Sequence, residues 1–118
     1  MEIEASTEEA VFRDALHAVS ELLAGDDAGE QVWREVRVDG RERAALLVGW
    51  VDELVYLAET EDLVAEDAER VELSGGGLVA TVRCHRGSPR QLIKAATYHR
   101  LVFERSGQGF RATVVLDV

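Results

Sequence analysis

From Phe12 onward, apolar residues recur at intervals of three and four: Phe12, Ala15, Leu16, Val19, Leu22 and Leu23. That spacing predicts a helix with one apolar face. Ser6 precedes Glu9 by three positions, the spacing of a capping box, so the helix is expected to start at Thr7. The segment "GDDAGE", Gly25 to Glu30, reads as the surface turn that stops it. The period then shortens to two. In "VWREVRV", Val32, Val36 and Val38 fall on one side of a strand and Trp33, Glu35 and Arg37 on the other. Helical spacing returns from about Arg41 to Glu59, where Leu47, Trp50, Val51, Leu54 and Ala58 recur. Acidic residues then lead into "RVELSGGGLVATVRC", two β-rich runs joined at Gly75, Gly76 and Gly77. Met1 to Ala5 alternates weakly and reads as a short strand, and Pro89 lies in a loop before the last two strands.

The order β-α-β-α followed by four strands predicts an α+β domain, with two helices packed on one face of a mostly antiparallel sheet. A chain of 118 residues is expected to form one domain spanning 1–118. A domain of that size buries roughly two thirds of the surface its unfolded chain exposes, so no disulfide or metal staple is needed. No repeat or interdomain linker interrupts the pattern.

Charge narrows the function classes. The net charge is −10, from 23 acidic and 13 basic residues, while 47% of the residues are hydrophobic. The apolar share fits a folded domain. The surplus of acids argues against strong direct nucleic-acid binding, which needs clustered cations. Cys84 is the single cysteine, so no intrachain disulfide can form. The acidic "MEIEASTEEA" lacks the basic and apolar regions of a signal peptide. The apolar run "AALLVGWV" is far short of the roughly 20 residues that span a bilayer. A soluble, cytoplasmic protein is expected.

Twelve of the 13 basic residues are arginines, and the one lysine, Lys94, stands in "LIKAATYHRLVF" beside Thr97, Tyr98 and His99. Lysine is a compact ammonium on a flexible stem and arginine a rigid planar fork, so the exception marks either chance or a place that needs a point charge. A two-residue turn at Ser106 and Gly107 would pair Phe103 with Phe110, Leu101 with Ala112, His99 with Val114 and Thr97 with Leu116. In that register His99 faces the core. Lys94, Ala96, Tyr98 and Arg100 share the other face with Arg111, Thr113, Val115 and Asp117. Lys94 then comes within reach of the Asp117 carboxylate or the chain terminus at Val118.

These residues carry a resemblance. "LIKAATYH" resembles the Lys-Ala-x-Thr-Tyr-His signature of the archeases. "VVLDV" resembles their closing Leu-Asp-Ile/Val, and "ALLVGWVDELVYL", Ala45 to Leu57, resembles their Leu-Leu-x-x-Trp-Leu-x-Glu-Leu-Leu-Tyr helix. The three occur in the family's order and cover most of the chain. The resemblance implies a small α+β protein of SHS2 type that assists an RtcB-type RNA ligase in transfer-RNA splicing and RNA repair. Its role would be to promote guanylylation of the ligase, without performing the chemistry itself. It implies that Lys94, Asp117, Glu53, Tyr98 and His99 contribute to activating the partner. It also implies that Asp117 and the carboxylate of Val118 help hold a divalent cation such as calcium, since hard cations take oxygen ligands. Family members begin with a strand bearing His-Thr-Ala-Asp, whose aspartate is a further ligand, and nothing here matches it. Weak or absent calcium binding is therefore expected. The alternative is a structural or small-ligand-binding SHS2-like module without the metal site or the ligase role.

Other residues have simpler readings. Cys84 and His85 are adjacent on a strand and point to opposite faces, which makes a poor nucleophile and base pair. His17 looks incidental. The glycines at 75–77 and 107–109 lie in hairpin turns rather than between a strand and a helix, against a phosphate-cradling role. An uncovered Trp33 would make that strand face a homo-oligomer interface.

Overall fold

A computed structural model describes residues 1–25, 29–89 and 93–117. The first helix, α1 (Glu8–Leu23), buries Val11, Phe12, Ala15, Leu16, Val19 and Leu23. Its cap lies one residue beyond the expected capping box. Thr7 is the N-cap, and its hydroxyl accepts from the Ala10 N–H at 3.1 Å. An alanine at that position has no side chain to return the bond, so the reciprocal box with Glu9 does not form. Of the expected turn after α1, residues 26–28 lie outside the described residues.

The second helix, α2 (Arg43–Glu61), buries Leu46, Leu47, Val48, Trp50, Val51, Leu54, Val55, Leu57 and Ala58, which is more than one face. It meets α1 on one side and strands on the other. The buried Trp50 Nε1–H donates to the Phe12 carbonyl at 2.8 Å and ties the helices together.

The strands are β1 (Glu2–Ala5), β2 (Gln31–Asp39), β3 (Leu63–Ser74), β4 (Gly77–Arg86), β5 (Ala95–Ser106) and β6 (Gly109–Asp117). They form two three-stranded antiparallel sheets, ordered β1-β6-β5 and β2-β4-β3. The α+β class with two helices thus holds, and the strands divide into two sheets that share one core. Both helices pack against both sheets. Val36 and Val38 of β2 face this core, and Trp33 is 49% exposed on the opposite side, as the alternation predicts.

β3 starts earlier than its composition suggests. The acidic stretch after Asp62 is itself strand, with register shifts between Ala65 and Asp67 and between Ala68 and Arg70. Each shift swings an acidic residue outward while Val64, Ala65 and Ala68 stay buried. A two-residue turn at Gly75 and Gly76 joins β3 to β4. Among the described residues, no helix is long and apolar enough to cross a membrane.

Candidate functional site

Lys94 stands just before β5, exposed, between the fully buried Ile93 and the half-buried Ala95. Its backbone N–H donates to the Asp117 carbonyl at 2.7 Å, so the start of β5 and the end of β6 are joined at these two residues. Asp117 is also exposed. The two residues thus meet through backbone atoms, not through the expected approach of side chains. Among the ion pairs of the described residues, none links the Lys94 ammonium to the Asp117 carboxylate within 4.0 Å.

The reason is the register. The β5–β6 turn lies at Gly107 and Gln108, with Ser106 opposite Gly109, one residue later than expected. Gly107 takes φ 62°, a conformation that glycine reaches without a Cβ clash. Phe103 consequently faces Ala112 and Arg105 faces Phe110. Farther along, the pairing passes from Val102↔Thr113 to Thr97↔Val115, so Tyr98, His99, Arg100 and Leu101 span the length that Val114 spans on β6. An odd number of extra residues changes which side chains share a face. Asp117 ends up opposite Ala95 instead of Ala96, and Lys94 lies on the other face of the pleat.

This bulge also corrects the placement of His99, which is exposed and does not face the core. Tyr98 is 68% exposed, and Arg100 is exposed with φ 56°, an uncommon value for a residue with a Cβ. Thr97 caps the loop, its Oγ1 accepting from the His99 N–H at 3.2 Å. A phenol, an imidazole and a guanidinium thus stand on three consecutive exposed positions, 98–100, with the Lys94 ammonium exposed four residues before them. Such a surface is open to solvent rather than enclosed. Two surface depressions of about 440 Å³ each are lined by other residues: Glu2, Glu4 and Arg111 in one, and Phe103, Phe110 and charged neighbours in the other.

Glu53 is exposed on α2, off the buried stripe of Leu46, Trp50 and Leu57. Its neighbour Asp52 reaches the strand, accepting the Ala96 N–H at 2.8 Å on Oδ1 and fixing the start of β5. Sequence reasoning passed over Asp52. Two adjacent acids interrupt the apolar middle of the helix, and only the helix rotation decides which one meets β5. Because α2 is buried on two sides, its periodicity leaves that rotation open.

Asp117 is one exposed carboxylate, and Val118, whose terminal carboxylate would join it, lies outside the described residues. Among the described residues, no group of three or more His, Cys, Asp or Glu side chains converges as a metal site. These donors do not fit a calcium ion, which takes about six to eight oxygens.

Cys84 and His85 lie on opposite sides of β4. Cys84 is buried among core residues, and His85 Nδ1 sits 2.7 Å from Glu66 Oε1. His17, incidental by sequence, lies with Nε2 2.9 Å from Asp67 Oδ1 on a β3 bulge, a pairing visible only once α1 is laid on β3.

A family model described as the Archease protein family matches residues 1–118. Among similar proteins, the Archaeoglobus fulgidus "Protein archease" is 32% identical over 100 residues, covering 79% of this chain and 73% of its own length. The Methanosarcina mazei "Protein archease" is 31% identical over 122 residues, covering 95% of this chain and 84% of its own. Among solved structures, one from Thermotoga maritima described as an archease, possible chaperone, superposes with TM-score 0.72 at 24% identity. It matches 100% of this chain and 88% of the solved chain.

Proposed function

The chain belongs to the archease family, and from that membership we propose that it acts as a cytoplasmic protein cofactor of an RtcB-type RNA ligase. In this reading it promotes guanylylation and turnover of the ligase in transfer-RNA splicing or RNA repair, and it is not itself an enzyme. The observation that carries the proposal is the union of Lys94 and Asp117 at one end of the β5–β6 hairpin, next to the exposed Tyr98, His99 and Arg100. A protein that assists another needs an exposed, fixed contact group more than a pocket. Ile93 and Ala96, both buried, and the Asp52 bond to Ala96 hold the backbone around Lys94 while its side chain stays free in solvent. With a net charge of −10, the ligase is the expected partner and RNA is not.

Multiple-turnover ligation by an RtcB-type ligase, with and without this protein, tests the reading. Wild type is expected to stimulate turnover. Lys94→Ala is expected to lose most of that stimulation while keeping its unfolding midpoint, since the side chain is exposed. No stimulation by wild type, or full stimulation by both Lys94→Ala and Asp117→Ala, would leave an SHS2-like module with a structural or small-ligand role. Calorimetric titration with calcium alone is expected to show weak or no uptake, and tight uptake would overturn that expectation.

A further inference from the structure

The two sheets have four edge strands, β1, β5, β2 and β3. An unpaired edge is a template for another strand, and proteins protect edges by shortness, bulges or cover. Three of these are protected. β1 has four residues. β3 carries two bulges, and Arg13 of α1 donates to its Ala68 carbonyl at 3.1 Å. β5 carries the bulge at 98–101, and Asp52 of α2 takes its Ala96 N–H. β2 differs. It runs nine residues from Gln31 to Asp39 in unbroken register with β4. Among the described residues, the cover on its outer edge is its own Arg34 side chain, which donates to the Trp33 carbonyl at 3.2 Å.

We propose that β2 is the interface of a homodimer, pairing antiparallel with β2 of a second copy about a two-fold axis at Val36. Two observations limit the register. The β2–β4 ladder bonds fall on even positions, as the flanking bonds of Glu30 with Arg86 and of Gly40 with Gly76 show, so the backbone groups of Trp33, Glu35, Arg37 and Asp39 point outward. Even positions also face the core. A symmetric pair must therefore match odd with odd, which centres it on a residue. Centring on Arg34, Glu35 or Arg37 sets that charge against its own copy. Centring on Val36 sets Glu35 of each copy against Arg37 of the other and Val36 against Val36, and engages Trp33 to Asp39 of both. Registers centred farther out overlap fewer residues. Charge complementarity thus selects one pairing, which joins the two β2-β4-β3 sheets into a single six-stranded sheet.

Glu35 and Arg37 pair within one chain at 2.9 Å, but their side chains are 58% and 70% exposed, so exchanging them leaves the fold intact. Sedimentation velocity across a concentration series tests the proposal. Wild type is expected to pass from monomer to dimer. Glu35→Arg, which sets two arginines against each other twice, is expected to raise the dissociation constant about tenfold or more. The double exchange Glu35→Arg with Arg37→Glu restores both cross-strand pairs and is expected to return it close to the wild-type value. A wild type that stays monomeric at every concentration overturns the proposal. So does a dimer that is indifferent to Glu35→Arg, or one that the double exchange fails to rescue.

Discussion

Burial pushes the Cys84 thiol up to about 11, with Glu66 and Glu61 adding to the shift and Arg34 opposing it. The thiolate is the reactive form. Alkylation at pH about 8 is expected to be slow in the native protein and to follow global unfolding, and rapid native labelling would contradict this. Asp67 shows the opposite balance. Burial raises its pKa, but the hydrogen bonds from His17 and the Ala68 N–H, with the charges of His17 and Arg83, hold it below the ordinary 3.8. A carboxyl lowered by folding contributes stability above 3.8 that is lost as pH falls through the native value. Asp67→Asn is therefore expected to be slightly less stable than wild type at neutral pH and to converge with it in acid, as read from urea midpoints against pH. Alternation along β4 was enough to separate Cys84 from His85 in the sequence. The partners of His17 and His85 were not legible, because each lies on another element and is reached through a β3 bulge that no local pattern announces.

At the scale of elements, Gly49 separates propensity from packing. A glycine inside a helix costs roughly 1 kcal/mol relative to alanine, so its replacement looks favourable in isolation. α2 passes so close to β2 here that a Cβ would lie 2.6 Å from Val38 Cγ1. Overpacking costs about 1–3 kcal/mol, and Val38 is stiff at χ1 and cannot swing away. Gly49→Ala is expected to lower the urea midpoint, and an unchanged or raised midpoint would show that α2 shifts at little cost. Element types were legible where the period was clean: α1, β2 and the Gly75–Gly76 hairpin follow their spacing. The β5–β6 register was not. Its assignment assumed constant pairing from one turn, and a shifted turn plus the bulge moved Phe103 onto Ala112 and His99 into solvent.

Over the whole molecule, the charge is the feature that local structure compensates least. Ion pairs recur over the surface, yet acids exceed bases by ten, as 23 against 13 shows. Most of these pairs are exposed and contribute little each, whereas the surplus repels throughout the folded surface. Raising salt from about 10 mM to about 150 mM is expected to raise the melting temperature, because screening relieves that net repulsion. A falling melting temperature would mean that the local pairs outweigh it. The division of the strands into two sheets belongs to this scale too. Strand count and helix count follow from the pattern, but which strands neighbour one another depends on contacts far apart in sequence, such as Met1 against Val114.

The bulge in β5 has a consequence for how this surface can change. The positive φ of Arg100 restricts what that position accepts, but Tyr98 and His99 lie outside the ladder and outside the core, so the folding equilibrium scarcely registers their identity. Their replacement is screened only by whatever touches them. The segment is thus free to be tuned to a partner, by selection or by design, with little loss of stability.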